Sequence, residues 1–120
     1  MDTSNNDNSL KTLLVTYTIN NDINNLKSLI NENDNIDLNV LIPWDSENEK
    51  VVENSETKEK YNIDSPIYYT TLLNLASIKG NVEIVEILLE HGALPTVRDG
   101  RGRYCIILYY INVMHYIFFI

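Results

Sequence analysis

"NLASIKGNVEIVEILLEHGA", residues 74–93, carries the strongest local grammar in the chain. Gly80 and Gly92 bracket a run whose apolar residues Ile84, Val85, Leu88 and Leu89 recur at helical spacing and form a stripe broad enough to be buried. A shorter run, Leu72 to Ile78, precedes Gly80, with Thr71 placed so that its hydroxyl can accept from an open amide of the first turn. Glycine adopts positive φ without steric cost, so Gly80 ends that helix after about two turns. Asn81 is positioned to cap the next helix, and Gly92 stops it. Helices this brief are marginal alone, because nucleation is costly and few hydrogen bonds follow it. They need neighbours of the same kind, each covering apolar surface that the other cannot cover unaided.

The same logic extends toward the N-terminus. Leu10, Leu13, Leu14 and Tyr17 fall at i, i+3, i+4 and i+7 and predict a helix, although the β-branched Val15, Thr16, Thr18 and Ile19 pull the other way. Asn20 to Asp22 supply turn and cap chemistry, and Ile23, Leu26, Leu29 and Ile30 predict a second helix, making a helical hairpin. Residues 1–9 are polar and expected to be a disordered, frayed terminus. Ile36, Leu38 and Val40 alternate with polar residues, which predicts a short extended segment. In "DSENEKVVENSETKEK", residues 45–60, charge dominates, and a solvated, mobile loop is expected because so little apolar surface could offset its ordering entropy.

Thr71 to Gly102, "TLLNLASIKGNVEIVEILLEHGALPTVRDGRG", resembles an ankyrin repeat. That family has a period of about 33 residues and a pattern T-P-L-H-x-A followed by a glycine, an apolar second helix, G-A and D-x-x-G. Thr71, Leu73, Ala76, Gly80, Glu83, Ile84, Val85, Leu88, Leu89, Gly92, Ala93, Asp99 and Gly102 all fall in register. Leu72 replaces the usual proline and Asn74 the usual histidine, so the hydrogen bonds that the family's histidine makes between repeats are at best imitated by an amide. The resemblance implies an all-α fold, a short solenoid of helical hairpins joined by β-turn or hairpin loops. Within it, 10–103 is the ankyrin-repeat domain: 10–40 a degenerate capping repeat with Asn21-Asp22 near the position of Gly80-Asn81, 41–66 an inserted charged loop, and 67–99 the repeat proper.

Beyond it, 104–120 is a hydrophobic C-terminal segment, "YCIILYYINVMHYIFFI". One repeat period on from Ala76 and Ser77 stand Tyr109 and Tyr110, whose rings are too large for closely packed inner helices. Three readings stay open: an irregular apolar cap, a membrane anchor flanked by Arg98, Arg101 and Arg103, or a truncated ankyrin reading frame. As an anchor the segment is at the lower length limit and carries Asn112 and His115 near its middle.

The chain has 120 residues, enough for one domain. Its net charge of -8 argues against nucleic acid as a partner, since Lys and Arg must supply that affinity. Cys105 is the only cysteine and no secretory signal opens the chain, so a cytoplasmic setting is expected, in its own cell or in a host's. With His91, His115 and Cys105 as the only residues of their kinds, no spaced metal-ligand cluster exists, and neither catalytic residues nor a cofactor are predicted. His91 reads as a cap of the Ile84 to Leu89 helix, and Cys105 as a small buried hydrophobe.

The expected function is a non-catalytic protein–protein interaction module binding another protein. No small-molecule substrate is expected, and membrane attachment is possible only through 104–120. The family's binding places, hairpin tips and inner helices, transfer to Ile67, Tyr68, Thr70, Ile78, Lys79, His91, Gly100, Arg101 and Arg103. Tyr and Arg are among the residue types that concentrate binding energy at interfaces.

Overall fold

The structure, a computed structural model, describes residues 3–52 and 65–105, with side chains from Leu10 onward. Helix α1 spans Thr3–Ile19 and α2 spans Ile23–Glu32. Three short strands follow, β1 over Ile42–Asp45, β2 over Lys50–Val51 and β3 over Ile67–Thr70. Helices α3, Leu72–Lys79, and α4, Val82–Glu90, close the described part.

Both helical pairs turn in the same way. At the first turn Asn21 has φ 55° and the Asp22 amide donates to the Tyr17 carbonyl at 2.9 Å. At the second, Gly80 has φ 72° and the Asn81 amide donates to the Ala76 carbonyl at 3.0 Å. These are one left-handed stop with one long closing hydrogen bond, built on asparagine in one hairpin and glycine in the other. Asp22 caps α2, its carboxylate accepting from the Asn25 side chain at 2.8 Å, and Thr71 caps α3, its hydroxyl accepting from the Asn74 amide at 3.1 Å.

The β-branched run in α1 does not prevent helix formation, because Leu14, Val15 and Thr18 are buried and tertiary packing outweighs their weak propensity. The helix already begins at Thr3, inside the stretch expected to fray.

The hairpins stack with α1 against α3 and α2 against α4. Leu26, Leu72, Leu73, Leu75, Ala76, Ile84 and Leu88 are almost wholly buried, and each such Leu or Ile contributes about 1.5–3 kcal/mol to the common core. Two asparagines stitch the stack. The Asn81 side chain donates to the Thr18 carbonyl at 2.8 Å. Asn39 accepts from the Leu94 amide at 2.7 Å and donates to the Gly92 carbonyl at 3.2 Å.

Several expectations are corrected. The fold is not all-α, since β1, β2 and β3 form an antiparallel sheet in the order β2-β1-β3. Two of its strands lie in the 41–66 segment expected to be a loop. Ile42 and Trp44 are buried there and face Thr70 and Tyr68 across the ladder, so one face of the sheet joins the core. Residues 53–60 of the predicted mobile loop lie outside the described residues.

The extended segment expected at 36–40 is instead turned, with the Asp37 side chain accepting from the Asn39 amide at 2.8 Å. Asn81 does not cap α4 with its side chain, which is committed to Thr18. Leu89, expected in the buried stripe, is 42% exposed, and Ile87 is buried in its stead.

Asn74 was expected to imitate a bridging histidine. Its side chain is fully buried, and among the described residues neither the amide nitrogen nor the oxygen has a partner. A buried polar group left unpaired costs about 1–3 kcal/mol. Asn74→Leu, similar in size and without that cost, is therefore expected to raise the melting temperature by several degrees. An unchanged or lower melt in scanning calorimetry would contradict it.

Candidate protein-binding surface

One side of the hairpin stack forms a groove of about 630 Å³ between α1 and the sheet. Thr12, Val15, Thr16 and Ile19 make the helical wall, following one another at helical spacing. Trp44, Glu49, Lys50, Val51, Val52 and Ile67 make the other wall. Thr12 and Thr16 are exposed and Trp44 presents only an edge, so the groove offers a mixed apolar and hydroxyl surface with charges at one end. At that end Lys79, the last residue of α3, pairs with Glu49.

The hairpin that carries Glu49 is shaped by Asp45. Its carboxylate accepts from the amides of Glu47 and Asn48 and from the Asn48 side chain at 2.8 Å. The Asn48 bonds, foremost that from its side chain, hold the Asp45 carboxyl below the ordinary value of 3.8, with the Glu47 amide and Lys50 adding to the effect and burial opposing it.

A second cluster sits at the tip formed by residues 98–103. Asp99 is its centre: the carboxylate, wholly buried, accepts from the amides of Arg101 and Arg103 at 2.9 and 2.8 Å and from Arg103 Nε at 2.9 Å. Arg101 lies over the Tyr68 ring at 4.4 Å and Arg103 over the same ring at 5.4 Å, while Arg98 covers Tyr104 at 4.7 Å. Arg103 also donates to the Tyr68 hydroxyl and Arg101 to the Ser65 carbonyl. The Gly100 amide donates to the Tyr69 carbonyl at 2.6 Å, so the tip lies along the edge of β3 that β1 does not use. A Cβ at Gly100 would come within 3.1 Å of the Tyr69 nitrogen, which is why the chain is bare there.

Residues 68–100 match the family model described as Ankyrin repeat. The match covers well under half of the chain, and the repeat is a protein–protein interaction module. No curated protein matches the chain.

The ankyrin repeat thus supplies β3, both helices α3 and α4, and the start of the arginine tip. Of the expected contact residues, Ile67 lines the groove and Lys79 stands at its end. Ile78 is half-buried beside Lys79. Tyr68 and Thr70 are corrected: at 4% and 0% exposure they point into the core, because alternate residues of a strand face opposite ways and Tyr68 and Thr70 share the face of Trp44 and Ile42. His91 is exposed but lies at the far end of α4, with Nδ1 2.8 Å from the Ile87 carbonyl in the last turn. Arg101 and Arg103 follow Gly100 at the tip and flank Gly102, partly committed to Tyr68 and Asp99.

The α1 wall and the β1–β2 wall were missed. The signal for the first was present in Thr12, Thr16 and Ile19, polar and apolar residues sharing a helical face. For the second there was no local signal, because the strand is defined by a partner far along the chain.

Among the described residues, no three or more His, Cys, Asp or Glu side chains are grouped to hold a metal, and no helix is long and apolar enough to cross a membrane. The readings of 104–120 as cap, anchor or truncation fall, beyond Cys105, outside the described residues. Cys105 itself is buried, near the Pro95 carbonyl.

Proposed function

We propose that the chain is a non-catalytic adaptor: two ankyrin-type hairpins acting as a short solenoid that holds another protein in the groove between α1 and the sheet, in the cytoplasm. The observation that carries the reading is the groove itself, walled on one side by the β1–β2 hairpin with Ile67 of β3, next to the start of the ankyrin repeat, and on the other by α1 of the neighbouring hairpin. A peptide or loop laid there would meet Ile67 and Ile19 as apolar contacts and Thr12, Thr16 and Lys50 as hydrogen-bonding groups. The site fits a binding module because its walls are preformed secondary structure, which limits the ordering cost of association.

The full chain, tagged and recovered from the cells that make it, is expected to retain a protein partner. Thr12→Arg together with Thr16→Arg, on exposed positions of α1, should abolish that retention and leave the melting temperature within about 2 °C, because surface substitutions shift stability little. Recovery of the same partner by both forms would remove the groove from the interface.

A further inference from the structure

The tip at residues 98–103 concentrates a charge opposite to that of the rest of the molecule. The sequence holds three arginines, Arg98, Arg101 and Arg103, and all three lie there, on a chain of net charge -8. The one carboxylate within the tip, Asp99, is buried and occupied by two backbone amides and Arg103 Nε. It therefore neutralises part of one guanidinium and presents nothing to solvent. The Asp45 carboxylate, in the β1–β2 hairpin, is likewise engaged within its own turn, by Glu47 and Asn48.

The guanidinium donors are not exhausted. Each Arg has five N–H donors in a planar fork. Arg98 is exposed and makes no hydrogen bond among the described residues, only its contact with the Tyr104 ring. Arg101, half-buried, spends one terminal nitrogen on the Ser65 carbonyl and its Nε is buried, so the other terminal nitrogen is the donor it keeps for a ligand. Contact with the tyrosine faces restricts the planes of both groups, and Arg98 is exposed to solvent while it makes that contact. A fork held in this way loses little freedom when it meets a carboxylate, the group whose two oxygens match it.

We propose that the 98–103 tip binds an acidic peptide segment of a partner protein, with Arg98 and Arg101 donating to its carboxylates. This rests on the adaptor reading above and gives the partner a chemistry: carboxylate-rich at the end that reaches the tip.

The full chain is titrated, by fluorescence anisotropy at low salt, with a labelled eight-residue glutamate-rich peptide, with its glutamine counterpart, and with a single-stranded DNA oligonucleotide. The glutamate peptide is expected to bind, weakening by about tenfold or more between 50 and 300 mM salt, and to outcompete both controls, because contacts between exposed charges are screened by salt. Arg98→Gln should weaken binding about threefold, and Arg98→Gln with Arg101→Gln about tenfold, with thermal melts showing that both variants stay folded.

Equal binding of the glutamate and glutamine peptides would overturn the proposal. So would binding by the oligonucleotide alone, or undiminished binding by the double variant. A protein partner retained through the groove, sensitive to the Thr12 and Thr16 substitutions but indifferent to the arginines, would leave the adaptor function standing and this inference refuted.

Discussion

Gly80→Val is expected to cost about 2 kcal/mol and to lower the melting temperature by roughly 10 °C. Gly80 has φ 72° and ψ 23°, a left-handed conformation that a β-branched residue adopts only with steric strain. Two closing contacts depend on it, since the Gly80 amide donates to the Ser77 carbonyl and the Asn81 amide to the Ala76 carbonyl. A valine that escapes the strain by rotating its backbone breaks both and swings α4 away from α3. The first hairpin provides the control. Asn21 fills the same turn at φ 55°, so Gly80→Asn should retain most of the stability that valine loses. A valine variant melting within a degree of the parent, or an asparagine variant as damaged as the valine one, would show that the turn does not govern the stacking.

Asp99→Ala is expected to lose roughly 3 kcal/mol, lowering the melt by more than 10 °C. Its wholly buried carboxylate is the acceptor for two backbone amides, those of Arg101 and Arg103, and for Arg103 Nε. Alanine leaves both amides without that acceptor, at about 1–3 kcal/mol apiece where water cannot reach. The ion pair itself adds less, because Arg103 is about a third exposed and can recover water. Asp99→Asn keeps an acceptor oxygen and should fall between. Hydrogen exchange at the Arg101 and Arg103 amides reports the effect locally, and protection surviving in the alanine variant would contradict the proposed role of the carboxylate.

The parts of this molecule that could be read directly were those set by local rules. Thr71 and Gly80 mark the ends of α3 by chemistry that acts over three or four residues, and the apolar spacing of Leu10 to Tyr17 and Ile23 to Ile30 marks α1 and α2 in the same way. Strand β1 could not be read so. "IPWD" contains a proline, is followed by a long charged run, and becomes a strand because β3 lies beside it after an interval of more than twenty residues. Pairing at such distance leaves no trace in periodicity.

The site shows the same division. Ile67 and Tyr68 are adjacent, and nothing short of the register with β1 decides which of them joins Ile42 and Trp44 on the core face; a slip of one residue would exchange them. The Thr12 and Thr16 wall became legible as a surface only once β1 stood opposite. Asn74 illustrates another limit: its position was known from the pattern, but whether its amide found partners depended on its neighbours in the stack, and among the described residues it finds none.

The sheet also bears on how the protein behaves at high concentration. On β3, β1 occupies one side and Gly100 covers the middle of the other at Tyr69, and the opposite edge of the sheet belongs to β2, two residues long and led by Lys50. A strand that short offers few free amides to a second copy, and a lysine at its start resists joining an identical charge. Within the described residues, the part of the inserted segment that forms β1 and β2 therefore works as a terminator, leaving incoming chains little ribbon on which to grow a fibril.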